Sequence, residues 1–93
     1  MIYAVFKAKL NNPQALAEYR EQAGTALAKH RGKVEHATPV AQALDGAPSV
    51  PDVAALLSFP SIQAAQSWIN DPELADLHAL RRSAGETEIL LLT

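Results

Sequence analysis

Residues 53–81 read VAALLSFPSIQAAQSWINDPELADLHALR, and the fold follows from them. Val53–Phe59 is an apolar run of strand length. Pro60–Ser61 breaks it, and Ser61 is placed to cap a helix over 62–69 that carries Trp68. Asn70-Asp71-Pro72 then restarts a helix over 73–84. Its first turn is acidic and its last turn holds Arg81 and Arg82, which suits the helix macrodipole.

Working outward, Gly85 stops this helix and 87–92 forms a second apolar run. On the other side, 41–51 holds Asp45-Gly46 and two prolines and reads as a long hairpin loop. Residues 33–40 alternate, with Val34, His36, Thr38 and Val40 on one face. Before them, Asn12-Pro13 is a helix start signal. The helix presents Leu16, Tyr19 or Arg20, Ala23, Leu27 and His30 at helical spacing, its expected buried stripe. Gly24 weakens it by about 1 kcal/mol relative to Ala. Gly32 is expected at the C′ position, with basic residues in the turn before it. The first ten residues alternate too, with Ile2, Ala4, Phe6, Ala8 and Leu10 on one face.

The order is β-α-β-β-α-β with the second helix split, the pattern of a ferredoxin-like α+β domain. Its four-stranded antiparallel sheet would carry both helical segments on one face. Val53–Leu57 and Ile89–Leu92 are nevertheless apolar on both faces, which calls for cover on both. A second copy supplies it most economically, so a homodimer formed through the sheet faces is expected.

Composition removes several function classes. The 93 residues contain no Cys and carry a formal charge of −2 with signs interspersed. One domain over 1–93 is expected. Disulfides and zinc–thiolate sites are excluded, and no basic footprint for nucleic acid exists. No apolar run reaches the ~20 residues of a membrane span, and the alternating N-terminus is unlike a signal peptide. A cytoplasmic protein is the expectation.

The run from Leu56 to Arg81 resembles the signature region of the DUF1330 family, small proteins of the dimeric α/β-barrel superfamily. Ser58-Phe59-Pro60, Ala64-Ala65, Trp68, Asp71-Pro72-Glu73 and Arg81 carry the resemblance, with Tyr19 and Gly32 outside it. The family commonly has an aromatic at Leu74, a second glycine at Arg31 and a basic residue near Asp52. The resemblance implies the barrel fold over the whole chain. Superfamily relatives include cofactor-free monooxygenases, haem-degrading enzymes and isomerases, and a shared barrel does not carry function with it.

The candidate site is read from side-chain types. Arg81 beside Trp68 and Phe59 would set a cation against an aromatic wall, and a guanidinium binds a carboxylate bidentately. The structural alternative pairs Arg81 with Glu73, Asp76 or a partner subunit. His78 lies on the same helical stripe as Leu74 and Arg81. His36 on its strand could act as a base if its face lines the interior, though a lone histidine there is more often a satisfied core residue. Trp68 and Tyr19 read first as core, then as pocket lining. His30 reads as a charge partner at a helix C-terminus. The Asp71 and Glu73 carboxylates at a helix N-terminus have a structural job. No nucleophile–base pair, phosphate loop or metal-ligand spacing is present, so no cofactor or metal is expected. Two functions follow: a pocket for a small, partly apolar carboxylic acid, bound or transformed, or a dimerisation module with no ligand.

Overall fold

The structure is a computed structural model describing residues 1–93. Strand β1 (Ile2–Leu10) leads through Asn12 into helix α1 (Pro13–Lys29), followed by β2 (Lys33–Thr38), β3 (Val53–Phe59) and helix α2 (Ile62–Asn70). A 3₁₀ turn (Pro72–Leu74), helix α3 (Ala75–Ser83) and β4 (Gly85–Leu92) complete the chain. The sheet is antiparallel in the order β2-β3-β1-β4. That is the ferredoxin-like arrangement, with the second helix split, as expected, into α2 and α3.

Local signals set the boundaries. The Asn12 side chain accepts the Ala15 N–H at 3.3 Å, and Ser61 accepts that of Ala64 at 3.1 Å. Asp71, preceding a proline, is held extended at φ −66°, ψ 116°. This separates α2 from the 3₁₀ turn. Its carboxylate then accepts the Glu73 N–H at 2.9 Å.

The helix-facing side of the sheet holds Ala4, Phe6 and Ala8 of β1 beside Leu57, Ala55 and Val53 of β3. They pack with Leu16, Tyr19 and Ala23 of α1 in one cluster, and with Leu27, Ala65 and Trp68 in another. The opposite face carries no helix. There Val5 pairs with Leu56 and Leu90, and Tyr3 with Leu92, while Lys7 pairs with Glu88 at the far end. Leu90 is 65% exposed and Leu92 47%. The apolar runs therefore have one covered face and one bare face.

Three expectations are corrected. The first is the strict alternation of β2. A bulge between Val34 and His36 shifts the register, so Val34 pairs with Leu57 while His36 pairs with Leu56. The extra residue, Glu35, turns His36 onto the bare face, away from Val34. His36 is exposed there and lines no helix–sheet pocket. The second is the C′ position of α1. Arg31, at φ 61°, occupies the left-handed conformation expected of Gly32. The Gly32 N–H bonds Leu27 O at 2.8 Å and the Arg31 N–H bonds Ala28 O at 3.0 Å, a Schellman motif. Glycine is needed at 32 for another reason: a Cβ there would lie 2.7 Å from the Phe59 ring. The third is the length of two strands. β2 ends at Thr38 because Pro39 has no N–H to donate. β4 begins at Gly85, which at φ 153° pairs with Leu10 so closely that a Cβ would strike the Lys9 carbonyl.

The segment between β2 and β3 contains neither helix nor strand. Its end is tied down by Asp52, whose carboxylate accepts the Leu10 N–H at 2.8 Å and whose own N–H reaches Ala8 O at 2.8 Å.

Candidate functional site

The site is assembled where α2 and α3 meet α1. Trp68 lies in the last turns of α2 and is 3% exposed. Its ring meets Phe59 of β3 at a centroid distance of 5.6 Å, tilted 47°, and His78 of α3 edge-on at 4.7 Å. Both are geometries that aromatic quadrupoles favour.

Arg81, one turn beyond His78, is the unusual member. It is 3% exposed, and its Cζ sits 5.5 Å from the Trp68 ring centroid and 5.6 Å from that of Tyr19. The guanidinium is thus held between an aromatic of α1 and one of α2. Nη1 donates to His78 Nδ1 at 2.7 Å, and His78 Nε2–H donates to the Trp68 carbonyl at 3.0 Å. Both imidazole nitrogens are committed, so His78 has no free lone pair for a substrate proton. Burial pushes the His78 imidazolium below its ordinary value of 6.5. The neighbouring guanidinium groups of Arg81 and Arg82 add to this, and the Trp68 carbonyl opposes it.

No carboxylate compensates Arg81, which takes part in none of the chain's ion pairs. Glu73, one expected partner, instead meets Lys29 at 3.0 Å. Two buried N–H groups in this cluster lack acceptors, Arg81 Nε and Trp68 Nε1. Beside Trp68 an apolar cleft of about 150 Å³ runs between Phe59, Ala65, Ile69 and Leu91.

His30 and the Asp71-Pro72-Glu73 corner form a separate, structural cluster. Asp71 Oδ2 receives Lys29 Nζ at 2.7 Å and His30 Nε2 at 2.8 Å. Those two contacts, Lys29 first, hold the Asp71 carboxyl well below the ordinary carboxylate range, and Asp71 in turn raises Lys29. The latch binds the end of α1 to the α2–α3 corner. A polar cleft of about 460 Å³ on the sheet's charged end is lined by Lys7, Lys9 and Arg82 against Glu86 and Glu88. Its three cations are offset in part by the two carboxylates.

Of the residues picked from sequence, Phe59, Trp68, Tyr19, His78 and Arg81 come together, and His36 does not. The orphaned Nε1 of Trp68 and the role of His78 as holder of Arg81 were missed. Only the i, i+3 spacing of His78 and Arg81 pointed that way.

Comparison with known proteins bears on the fold. Residues 1–93 match the family model described as Domain of unknown function (DUF1330). Among solved structures, the chain is similar to the crystal structure of a protein of unknown function from Rhodopseudomonas palustris. The TM-score is 0.81 at 20% identity, covering 98% of this chain and 79% of that one. No curated protein matches the chain.

Proposed function

Since the chain belongs to the DUF1330 family, whose function is unknown, its own site must carry the argument, and we propose that it binds a small, partly apolar carboxylic acid beside Trp68, anchored by Arg81. The observation behind this is a buried guanidinium without a carboxylate. Guanidinium stays protonated at any physiological pH, and an unpaired buried charge costs several kcal/mol. Two cation–π contacts offset only about 0.5–2 kcal/mol each. A ligand carboxylate reaching past the Trp68 ring, which separates Arg81 from the cleft, would accept from Arg81 Nε and Trp68 Nε1, the two buried N–H groups without an acceptor. The small cleft beside Trp68 suits a compact apolar group. The structure supplies no free base at this point, so the reading is one of binding.

Trp68 is the only tryptophan, so its fluorescence reports on the site directly. Titration with benzoate and with 3-methylbutanoate should give saturable quenching or a spectral shift, lost in Arg81→Gln. Silence with every acid tried at millimolar concentration, or equal binding by Arg81→Gln, would overturn the proposal.

A second reading, a dimerisation module with no ligand, draws on the bare sheet face. Tyr3, Val5, Leu56, Leu90 and Leu92 form a contiguous apolar patch there. We propose that a second copy covers it in a two-fold homodimer, burying about 800 Å² per subunit if of standard size. Two variants separate the readings: loss of acid binding in Arg81→Gln favours the first, and loss of the dimer in Leu90→Arg, with Arg81 untouched, favours the second. The cysteine-free composition supports the cytoplasm as the compartment, and fractionation of cells expressing a tagged chain tests it.

A further inference from the structure

A second cavity lies on the far side of Tyr19, between α1 and the edge strand β2. It measures about 360 Å³, within the roughly 300–1,000 Å³ usual for ligand pockets. Phe6, Val53 and Leu57 floor it, and its lining is almost wholly apolar. Three features of the chain point to an occupant.

The first is Val34. It lies on the helix-facing side of the sheet, in register with Leu57, yet it is 45% exposed. Neighbouring Ala37, on the same side, is exposed as well. The helix layer leaves this stretch of the edge strand uncovered. The second is Gly24, in the middle of α1, where glycine costs about 1 kcal/mol relative to alanine. Nothing lies within 4 Å of where its Cβ would be, so packing does not require a glycine. Its backbone is not in the left-handed region either. The missing side chain widens the cavity, which Gly24 lines. The third is Arg20, one turn earlier on α1. It is the single charged residue of the lining, it is exposed, and it belongs to no ion pair.

An apolar chamber with one free cation at its edge matches an amphipathic anion. We propose that this cavity binds an aliphatic monocarboxylate, its chain lying over Gly24 and Val34 and its carboxylate on Arg20. The proposal stands on residues other than Arg81 and Trp68, and either site can exist without the other.

The test is a titration of the full chain with hexanoate, octanoate and decanoate, followed by NMR. Saturable shifts centred on the Val34 and Ala37 methyl groups, with NOEs from the ligand chain to Val34, are expected for at least one chain length. Gly24→Leu should fill the cavity and weaken that binding at least 10-fold while the circular dichroism spectrum is kept and the thermal midpoint does not fall. Arg20→Gln should weaken octanoate about 10-fold and leave 1-octanol unchanged. Absence of saturable binding at every chain length overturns the proposal, as do shifts centred on Trp68 that Gly24→Leu does not affect. Equal binding of octanoate and octanol by the native chain overturns it too. Concentration-dependent shifts of Val34 and Ala37 without any added acid would mean that a second copy fills the groove, and would also overturn it.

Discussion

The guanidinium of Arg81 donates a 2.7 Å hydrogen bond to Nδ1 of His78, and this contact assigns the imidazole as its neutral Nε2–H tautomer. Protonating Nδ1 would turn an acceptor into a second donor aimed at a cation, with both residues buried.

That arrangement predicts a pH dependence. His78 has its folded value lowered, so below the unfolded value of 6.5 the unfolded chain binds more protons than the folded one. Its contribution is complete above pH 6.5 and is lost as pH falls through the folded value. Urea midpoints measured at pH 7.5, 6.5 and 5 should fall with pH in the native chain. In His78→Asn the fall over this window should largely disappear. An equal slope in both proteins would place the titrating group elsewhere.

A second acid-sensitive step belongs to Asp71. Its carboxyl is held low by Lys29 and His30, so the stability it contributes is present above the unfolded value of 3.8 and is lost as pH falls through the folded value. Asp71→Asn keeps an acceptor for the Glu73 N–H but weakens the latch to α1. Its thermal midpoint should lie below that of the native chain at pH 7, with the gap narrowing below pH 4. A constant gap across that range would show that the ion pairs do little.

The order of elements and most boundaries were legible in the sequence, because the signals are local: Asn12-Pro13, Ser61 and Asp71-Pro72 each act on the few residues beside them. The bulge at Glu35 was not legible, since it depends on how β2 pairs with β3, and one extra residue reverses every later side chain. Hence His36 does not share the face of Val34, as strict alternation predicts. The left-handed residue at the end of α1 was assigned to Gly32 by propensity, but the Phe59 ring packed against position 32 is a tertiary fact. At the site, spacing put His78 and Arg81 on one stripe. That Tyr19 and Trp68 would enclose the guanidinium depends on how α1 meets α2 and α3, which no window of sequence contains.

Two glycines should respond oppositely to alanine. At Gly24 a Cβ meets nothing within 4 Å, so Gly24→Ala should stabilise the fold by about 0.5–1 kcal/mol through helix propensity. At Gly32 a Cβ would press on Phe59, which is 1% exposed. Gly32→Ala should therefore cost about 1–3 kcal/mol, the usual range for overpacking. Denaturant midpoints of the two variants decide this, and a shift of the same sign in both would be the wrong outcome.

Arg31 carries the left-handed backbone at φ 61°, a conformation that costs a non-glycine residue about 1–2 kcal/mol. Glycine escapes that cost but gains freedom when unfolded, worth about 0.5–1 kcal/mol. The balance predicts that Arg31→Gly stabilises the protein by up to about 1 kcal/mol. The urea midpoint should rise with the m-value unchanged; a fall would mean that the Arg31 side chain holds the helix end in some other way.

Leu90 is central to the bare face: it is 65% exposed and pairs with Val5, which pairs in turn with Leu56. If a second copy covers this patch, a charge at Leu90 would be carried into an apolar interface with no partner. Such a charge costs far more than the methyl groups it replaces. Leu90→Arg should move the chain from dimer to monomer in sedimentation velocity at micromolar concentration. Its helix-side packing through Ile89 and Leu91 should stay intact, so far-UV circular dichroism should not change. Lys7, at the ion-paired end of the same face, is the control: Lys7→Ala removes one 3.5 Å contact to Glu88 between exposed groups, and a pair of that kind is worth about 1 kcal/mol or less. A native chain that sediments as a monomer at every concentration would remove the dimer, and the apolar patch would then need another explanation. A dimer that survives Leu90→Arg would move the interface to a different surface.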